Sequence, residues 1–366
     1  MKKSLLELDP DADALLILQR PNLQQVRPYS EEELSAWGDD VQAKTKAEPA
    51  TTESPAKPTI TEATDLKEIT SLQPEQKDGT TNEIVFRVSA KHLSMVSPVF
   101  RSMIKGNFKE SQPNDQGLLE IRTSEWNAQA LLILLDIIHC HHSHVPKALS
   151  QEIVAHIGLI ADYYDCVDIV TVFYEGWEAR FCDDWGSDWP DSANHAFAEF
   201  GRVQQFQLFI VVTFQSDLVF GYLATHAILT ATGPIETYLP IPRRITERLD
   251  QRRIALLAQL FKRLYNLQRD LLEEPGGCDE ESHARLLGHL MREMWKAGLP
   301  MEKPAKPFAG FSVSSVAECI RSIRIPPAPY HEGMRDSRKL EKRLKFDVDQ
   351  LYQQTARMSL KDVGIE

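Results

Sequence analysis

The run His139-Cys-His-His-Ser-His144 places four imidazoles and one thiol within six residues. Neutral imidazole is a good ligand for zinc, copper or nickel. The run follows a strongly apolar stretch that ends at Ile137-Ile138 and precedes Val145-Pro146. Histidine near a helix C-terminus is favoured by the helix dipole without any metal. No Cys/His pair elsewhere has the spacing of a structural zinc site. A polar connection is therefore the expected role, and a metal-binding sensor or enzyme built on His139–His144 is the reading from a different class. A second cluster, Cys182-Asp-Asp-Trp-Gly-Ser-Asp-Trp-Pro-Asp191, gathers four carboxylates and two tryptophans. Carboxylates in pairs serve acid–base chemistry or hold calcium, but this spacing misses the calcium-loop pattern. Trp185 and Trp189 are expected to pin a linker onto a domain face. No Gly-x-Ser-x-Gly, phosphate loop or dinucleotide fingerprint occurs. No catalytic residue and no cofactor are expected, and the chain is not read as an enzyme.

What must position such residues is a chain of 366 residues, 42% hydrophobic and 26% charged, enough for two or three domains with real cores. Its net charge of −12 argues against broad nucleic-acid binding, which needs clustered Lys and Arg. The five cysteines (Cys140, Cys166, Cys182, Cys278, Cys319) are scattered and include no Cys-x-x-Cys pair. Reduced thiols in the cytoplasm or nucleus are expected. Met1-Lys-Lys is followed by Glu7, Asp9, Asp11 and Asp13, unlike a secretory signal. The most apolar stretch, Leu208–Phe214, is too short to cross a bilayer, so no membrane span is expected.

Leu15–Leu18 reads as a buried strand. From about Pro28 to Gly79 the composition turns to Thr, Lys, Glu, Ala and Pro, too polar to offset the entropy of ordering. Disorder is expected there, with a short helix near Ser30–Trp37, where Glu33 follows a capping Ser30. Order returns at Asn82. Ile84, Phe86 and Val88 alternate with Val85 and Arg87 as a strand, followed by a helix, then Ser97-Pro98 opening a second helix with Val99, Phe100, Met103 and Ile104. Leu118–Ile121 is expected as a strand, and Ser124 as the cap of a helix beginning near Trp126. Residues 128–138 are apolar almost all round, the mark of a helix in the middle of a domain. Ser150 opens a helix with Ile153, Ile157, Ile160 and Tyr164 on one face; Asp165-Cys166 breaks it, and Val167–Trp177 forms the next.

Beyond Asp183 the chain reads as helical over roughly 192–214, 216–231, 243–273, 279–297 and 313–323, punctuated by Gly233-Pro234, Leu239-Pro-Ile-Pro242 and Pro275-Gly-Gly277. Leu257, Leu260, Leu264, Leu267 and Leu271 repeat at three and four, a seam short enough to be packed within its own domain. Pro326-Pro-Ala-Pro329 precedes a last charged helix, about 333–358. Its basic cluster (Arg335, Arg338, Lys339, Lys342, Arg343, Lys345) is interleaved with Asp336 and Glu341 and reads as a solvated face.

Strand, helix, Ser97-Pro98, helix and then Phe108-Lys109-Glu110 resembles the signature of the BTB/POZ domain, in the variant common in fungal proteins. The resemblance covers residues 82–180 and the first strand. It extends more loosely to Gly233-Pro234-Ile235, Asp250-Gln-Arg-Arg253 and Pro307-Phe-Ala-Gly310, which look like a companion domain of unknown role. It implies an α+β BTB/POZ fold, a small sheet covered by helices, followed by an all-α region. The implied divisions are 1–27 (first strand region), 28–79 (insertion), 80–182 (main BTB/POZ part), 190–325 (helical domain) and 326–366 (Pro-rich linker and charged helix). Relatives join the first two strands by a hairpin. Here about sixty residues separate Leu18 from Ile84, which loop-closure entropy tolerates because it grows only logarithmically. Ala14–Leu18 is therefore placed in one sheet with Ile84–Val88.

The resemblance implies protein partners, with no nucleic acid and no membrane, and leaves homodimerisation open. Ser89-Ala90 stands where co-repressor-binding members carry His-Arg, so that charged pocket is incomplete. Members that recruit cullin-type ubiquitin ligases carry a hydrophobic residue, any residue, then Glu after the Ser-Pro helix. Phe108 and Glu110 fit, so the expected protein–protein interaction module could serve as a ligase substrate adaptor, with a self-associating or regulatory scaffold as the alternative. The plainer role for these two residues is that Phe108 closes the core and Glu110 is solvated.

Overall fold

The computed structural model describes residues 3–24, 26, 66–185, 200–273, 280–324 and 358–364. They fall into two compact units, Met1–Trp189 and Pro190–Glu366.

The first unit is built on a mixed sheet of β1 (Lys3–Glu7), β2 (Ala14–Gln19), β3 (Glu83–Val88) and β4 (Leu119–Ser124), in the order β1-β3-β2-β4. β2 runs antiparallel to β3, with Leu16 opposite Phe86 and Leu18 opposite Ile84. β1 runs parallel to β3, and β4 parallel to β2. Because successive side chains point to opposite faces, one face carries Ala14, Leu16, Leu18, Ile84, Phe86, Val88 and Ile121, all fully buried. Each large side chain removed from water in this way contributes about 2–3 kcal/mol. β1 is an addition to the sequence reading. Five residues with two leucines carry no periodic signal, and the strand is defined only by its backbone pairing with β3.

Two expectations need correction here. Order does not wait for Asn82: α1 (Leu66–Ser71) and a turn at 76–80 lie inside the stretch read as disordered. Ile69 is buried, and Asn22 donates to the carbonyls of Ile69 and Leu72, both at 3.0 Å. That tertiary anchoring is invisible in composition. The remainder of the insertion, with the helix expected near Ser30–Trp37, lies outside the described residues. Ser124, expected as a helix cap, instead ends β4. Asn127 caps α4 (Ala128–Ile138), accepting from the Ala130 N–H at 2.9 Å, because β4 runs three residues further than Ile121.

Around the sheet stand α2 (Ala90–Val96), α3 (Pro98–Lys105), α4, α5 (Gln151–Tyr163) and α6 (Val167–Trp185). α4 is buried on almost every side and packs against α2, α5 and α6, the central position its all-round apolar surface requires. α5 ends where Asp165 takes φ 51° and Cys166 returns its N–H to the Ala161 carbonyl. α6 continues to Trp185, so Cys182–Trp185 is helix rather than linker; Trp189 and the rest of that acidic segment lie outside the described residues.

His156 on α5 is 1% exposed, and its Nδ1 has no hydrogen-bond partner among the described residues. Burial lowers its pKa from 6.5 to about 4. The folded value lies below the unfolded one, so stability is complete above pH 6.5 and declines as pH falls toward 4, while the unfolded chain takes up a proton that the native state refuses. Between pH 6.5 and 5 this amounts to about 2 kcal/mol. Urea denaturation across that window should show a loss that is smaller by this amount in His156→Leu. An identical pH dependence in the two proteins would contradict the assignment.

The second unit comprises α7 (Arg202–Thr213), α8 (Asp217–Thr230), α9 (Arg243–Glu273), α10 (Glu280–Lys296) and α11 (Val313–Ser322). α7 starts at Arg202 with Gly201 before it, and the earlier part of the helix expected from about 192 lies outside the described residues. On α9, Leu257, Leu260, Leu264 and Leu267 are buried, and the helix packs against α8, α10 and α11, so the leucine seam serves this unit's own core. The two phrases Asp250–Arg253 and Pro307–Gly310 meet in space. Arg253, 0% exposed, donates from Nε to Asp250 Oδ1 at 2.8 Å and from its terminal nitrogens to the carbonyls of Pro307 (3.0 Å) and Phe311 (3.5 Å). In the same loop Phe308 is buried against Phe261, and Gly310 at φ 85° donates to the Thr232 carbonyl at 2.7 Å. The charged helix expected over 333–358, with its basic cluster, lies outside the described residues. Among the described residues no helix is long and apolar enough to cross a membrane.

Candidate functional site

Ser97-Pro98 sets the geometry that leads to Phe108 and Glu110. Pro98 sits at the first position of α3, where its missing N–H is harmless. Ser97 is fully buried and works in two directions: its Oγ accepts from the Phe100 N–H at 3.0 Å and donates to the Tyr164 carbonyl at 2.5 Å. Phe100 stacks on Tyr164 with ring centroids 4.0 Å apart and planes 12° apart. The start of α3 is thereby fastened to the end of α5.

α3 ends at Gly106, which is required by close approach rather than by backbone angle. A Cβ there would run into the Ser102 carbonyl oxygen and lie 2.7 and 2.8 Å from Cδ2 and Cε2 of Phe108. The Phe108 ring thus lies flush over the end of α3, but it remains 58% exposed and does not close the core, correcting the plainer expectation. A 3₁₀ turn at Lys109–Ser111 follows, held by the Phe108 carbonyl accepting from the Ser111 N–H (3.2 Å) and Oγ (2.7 Å). Glu110 lies within it, half-buried, and forms no hydrogen bond or ion pair among the described residues. An exposed aromatic held on a braced turn with an unpaired carboxylate two residues on has the chemistry of an interface anchor.

At the start of α2 the Ser89-Ala90 pair has its backbone donors satisfied internally. The Ser89 N–H donates to His139 Nε2 (3.0 Å), and the Ala90 N–H to Asp13 Oδ1 (2.7 Å). No side chain reaches out from this position as a charged pair would. His139 is consequently a capping group rather than a free ligand: with Nε2 accepting, Nδ1 carries the proton and donates to the Leu135 carbonyl at 2.8 Å. Burial, opposed by that hydrogen bond, lowers its pKa.

The remaining members of the histidine run disperse. His142 meets the Phe173 ring edge-on at 5.3 Å, and Cys140 is exposed at φ 62°. His141 and His144 fold back over Asp136 of α4. Asp136 was missed by sequence reasoning because it lies inside the apolar helix, although a carboxylate in the last turn of the helix and five residues before His141 is a legible signal.

Residues 80–175 match the family model of the BTB/POZ domain. No curated protein and no solved structure matches the chain.

Proposed function

We propose that this chain is an intracellular adaptor whose BTB/POZ domain recruits a cullin-type ubiquitin-ligase scaffold through Phe108 and Glu110. A BTB/POZ domain is a protein–protein interaction module, and residues 80–175 form one. The observation that carries the finer reading is Phe108, a large apolar side chain left 58% exposed on a turn braced from both sides. The described cysteines, Cys140, Cys166 and Cys319, are free thiols, which suits a reducing compartment. Titration of the full chain against a cullin N-terminal domain should give submicromolar affinity. Phe108→Ala and Glu110→Lys should each weaken it at least tenfold, about 1.4 kcal/mol. Folded variants that bind as tightly as the parent would overturn the assignment of the motif.

A second reading, a self-associating scaffold that meets no cullin, draws on Met95, 66% exposed on α2. Light-scattering mass separates the two: a dimer that loses its partner in Met95→Lys and ignores the cullin domain would support the scaffold.

A further inference from the structure

The geometry points to a divalent-cation site, of the kind that takes Zn²⁺, formed by Asp136, His141 and His144 at the C-terminal end of α4. One ligand atom from each of these three side chains lies within 4.8 Å of the others. His141 Nδ1 is 3.3 Å from Asp136 Oδ1, and His144 Nδ1 is 3.6 Å from the same oxygen. The first is a long imidazole–carboxylate hydrogen bond, and the second lies beyond hydrogen-bond length. They are close to the edge of a tetrahedron around zinc, which is roughly 3.3 Å for bonds of about 2.0–2.1 Å. The spacing therefore lets the carboxylate and both imidazoles converge on one ion with little movement, the ion replacing the proton of the His141–Asp136 bond.

The backbone is built to hold this arrangement. After Cys140 turns the chain at φ 62°, the His141 N–H donates to the Asp136 carbonyl at 2.8 Å and the His144 N–H to the His141 carbonyl at 2.9 Å. Asp136 is only 11% exposed in its side chain, and no lysine or arginine pairs with it among the described residues. A largely buried carboxylate demands a cationic partner, and the C-terminal end of a helix favours positive charge. One carboxylate oxygen with two imidazole nitrogens is a borderline donor set that selects zinc-type ions over magnesium or calcium. Three protein ligands leave a coordination position for water. His144, 67% exposed, provides the route of entry. His139 cannot join, since both of its ring nitrogens are engaged.

The site stands apart from Phe108 and Glu110, so its test is independent of the cullin reading. Full-length protein freed of metal is titrated calorimetrically with Zn²⁺, and separately with Co²⁺ while the visible d–d absorption of tetrahedral cobalt is followed. One ion per chain and a tetrahedral cobalt spectrum are expected. His141→Ala and His144→Ala should each lower Zn²⁺ affinity at least tenfold and abolish the cobalt band, and His142→Ala should leave both unchanged. His144 is exposed enough for its replacement to leave the fold intact. Equal affinity in the parent and in His144→Ala, or no binding by the folded parent, overturns the site.

Discussion

Arg253→Met should destabilise the helical unit by about 3–5 kcal/mol, the range for removing one partner of a buried ionic cluster. Arg253 has no exposed surface and serves three acceptors at once: Asp250 Oδ1 and the carbonyls of Pro307 and Phe311. Methionine fills much of the volume, so the loss comes from the acceptors left behind. Replacing a whole buried ion pair by apolar residues can be neutral, but two of these acceptors are backbone oxygens that no substitution at Arg253 can remove. Asp250 is partly solvated, 21% exposed in its side chain, and contributes the smaller share. Arg253→Lys keeps the charge but cannot present a planar fork, and should fall between the parent and Arg253→Met. Urea denaturation measures the size of the effect. Hydrogen exchange locates it, with faster exchange expected in α9 and at residues 308–311. A loss below about 1 kcal/mol would show that the loop finds other donors.

Ser97→Ala is expected to remove about 2–4 kcal/mol from the first unit. Loss of a helix cap accounts for about 1 kcal/mol. Stranding the Tyr164 carbonyl away from water adds about 1–3 kcal/mol. Ser150→Ala provides the comparison: Ser150 also caps a helix, but through a longer 3.4 Å bond at an exposed site and with no second side-chain partner among the described residues. Its replacement should remove no more than about 1 kcal/mol. Thermal or urea denaturation of the two variants should separate them clearly. Equal losses would mean that the bond to Tyr164 adds nothing to the cap.

The contrast between these serines shows what can be read from a linear chain. Ser97-Pro98 marks a helix start, and residues 128–138 announce a buried helix, because capping and apolar periodicity are local. The α9 leucine seam is legible for the same reason. Features that depend on distant partners are not. β1 exists through its pairing with β3, α1 through the burial of Ile69 and the bonds from Asn22. Arg253 looks like any other basic residue on a long helix until the Pro307–Phe311 loop closes over it. At the candidate interface the sequence supplies Phe108-Lys109-Glu110, but three residues cannot say whether an aromatic faces in or out; Gly106 and the 3₁₀ turn decide that. At the histidine run, residue type suggests metal and position suggests a cap. The structure divides these roles, His139 capping α2 while His141 and His144 return to Asp136.

The excursion between β2 and β3 leaves and rejoins the first unit at a single knot. Asn22, at φ 61°, accepts from the Ala128 N–H and donates to the carbonyls of Ile69 and Leu72. Arg20 pairs with both Glu75 and Glu125, and its N–H donates to the Asn82 carbonyl. Asn82 in turn holds Gln73 and Pro74. The departing and returning strands are thereby tied to each other and to the start of α4 before the sheet begins. Register between Leu16 and Phe86 is then indifferent to how many residues intervene. For the sheet, the closure of the excursion is therefore a local event, set by the few residues of the knot and not by the length of chain between its ends. The knot thus does for β2 and β3 what a tight turn does for a hairpin: it fixes where the two strands meet.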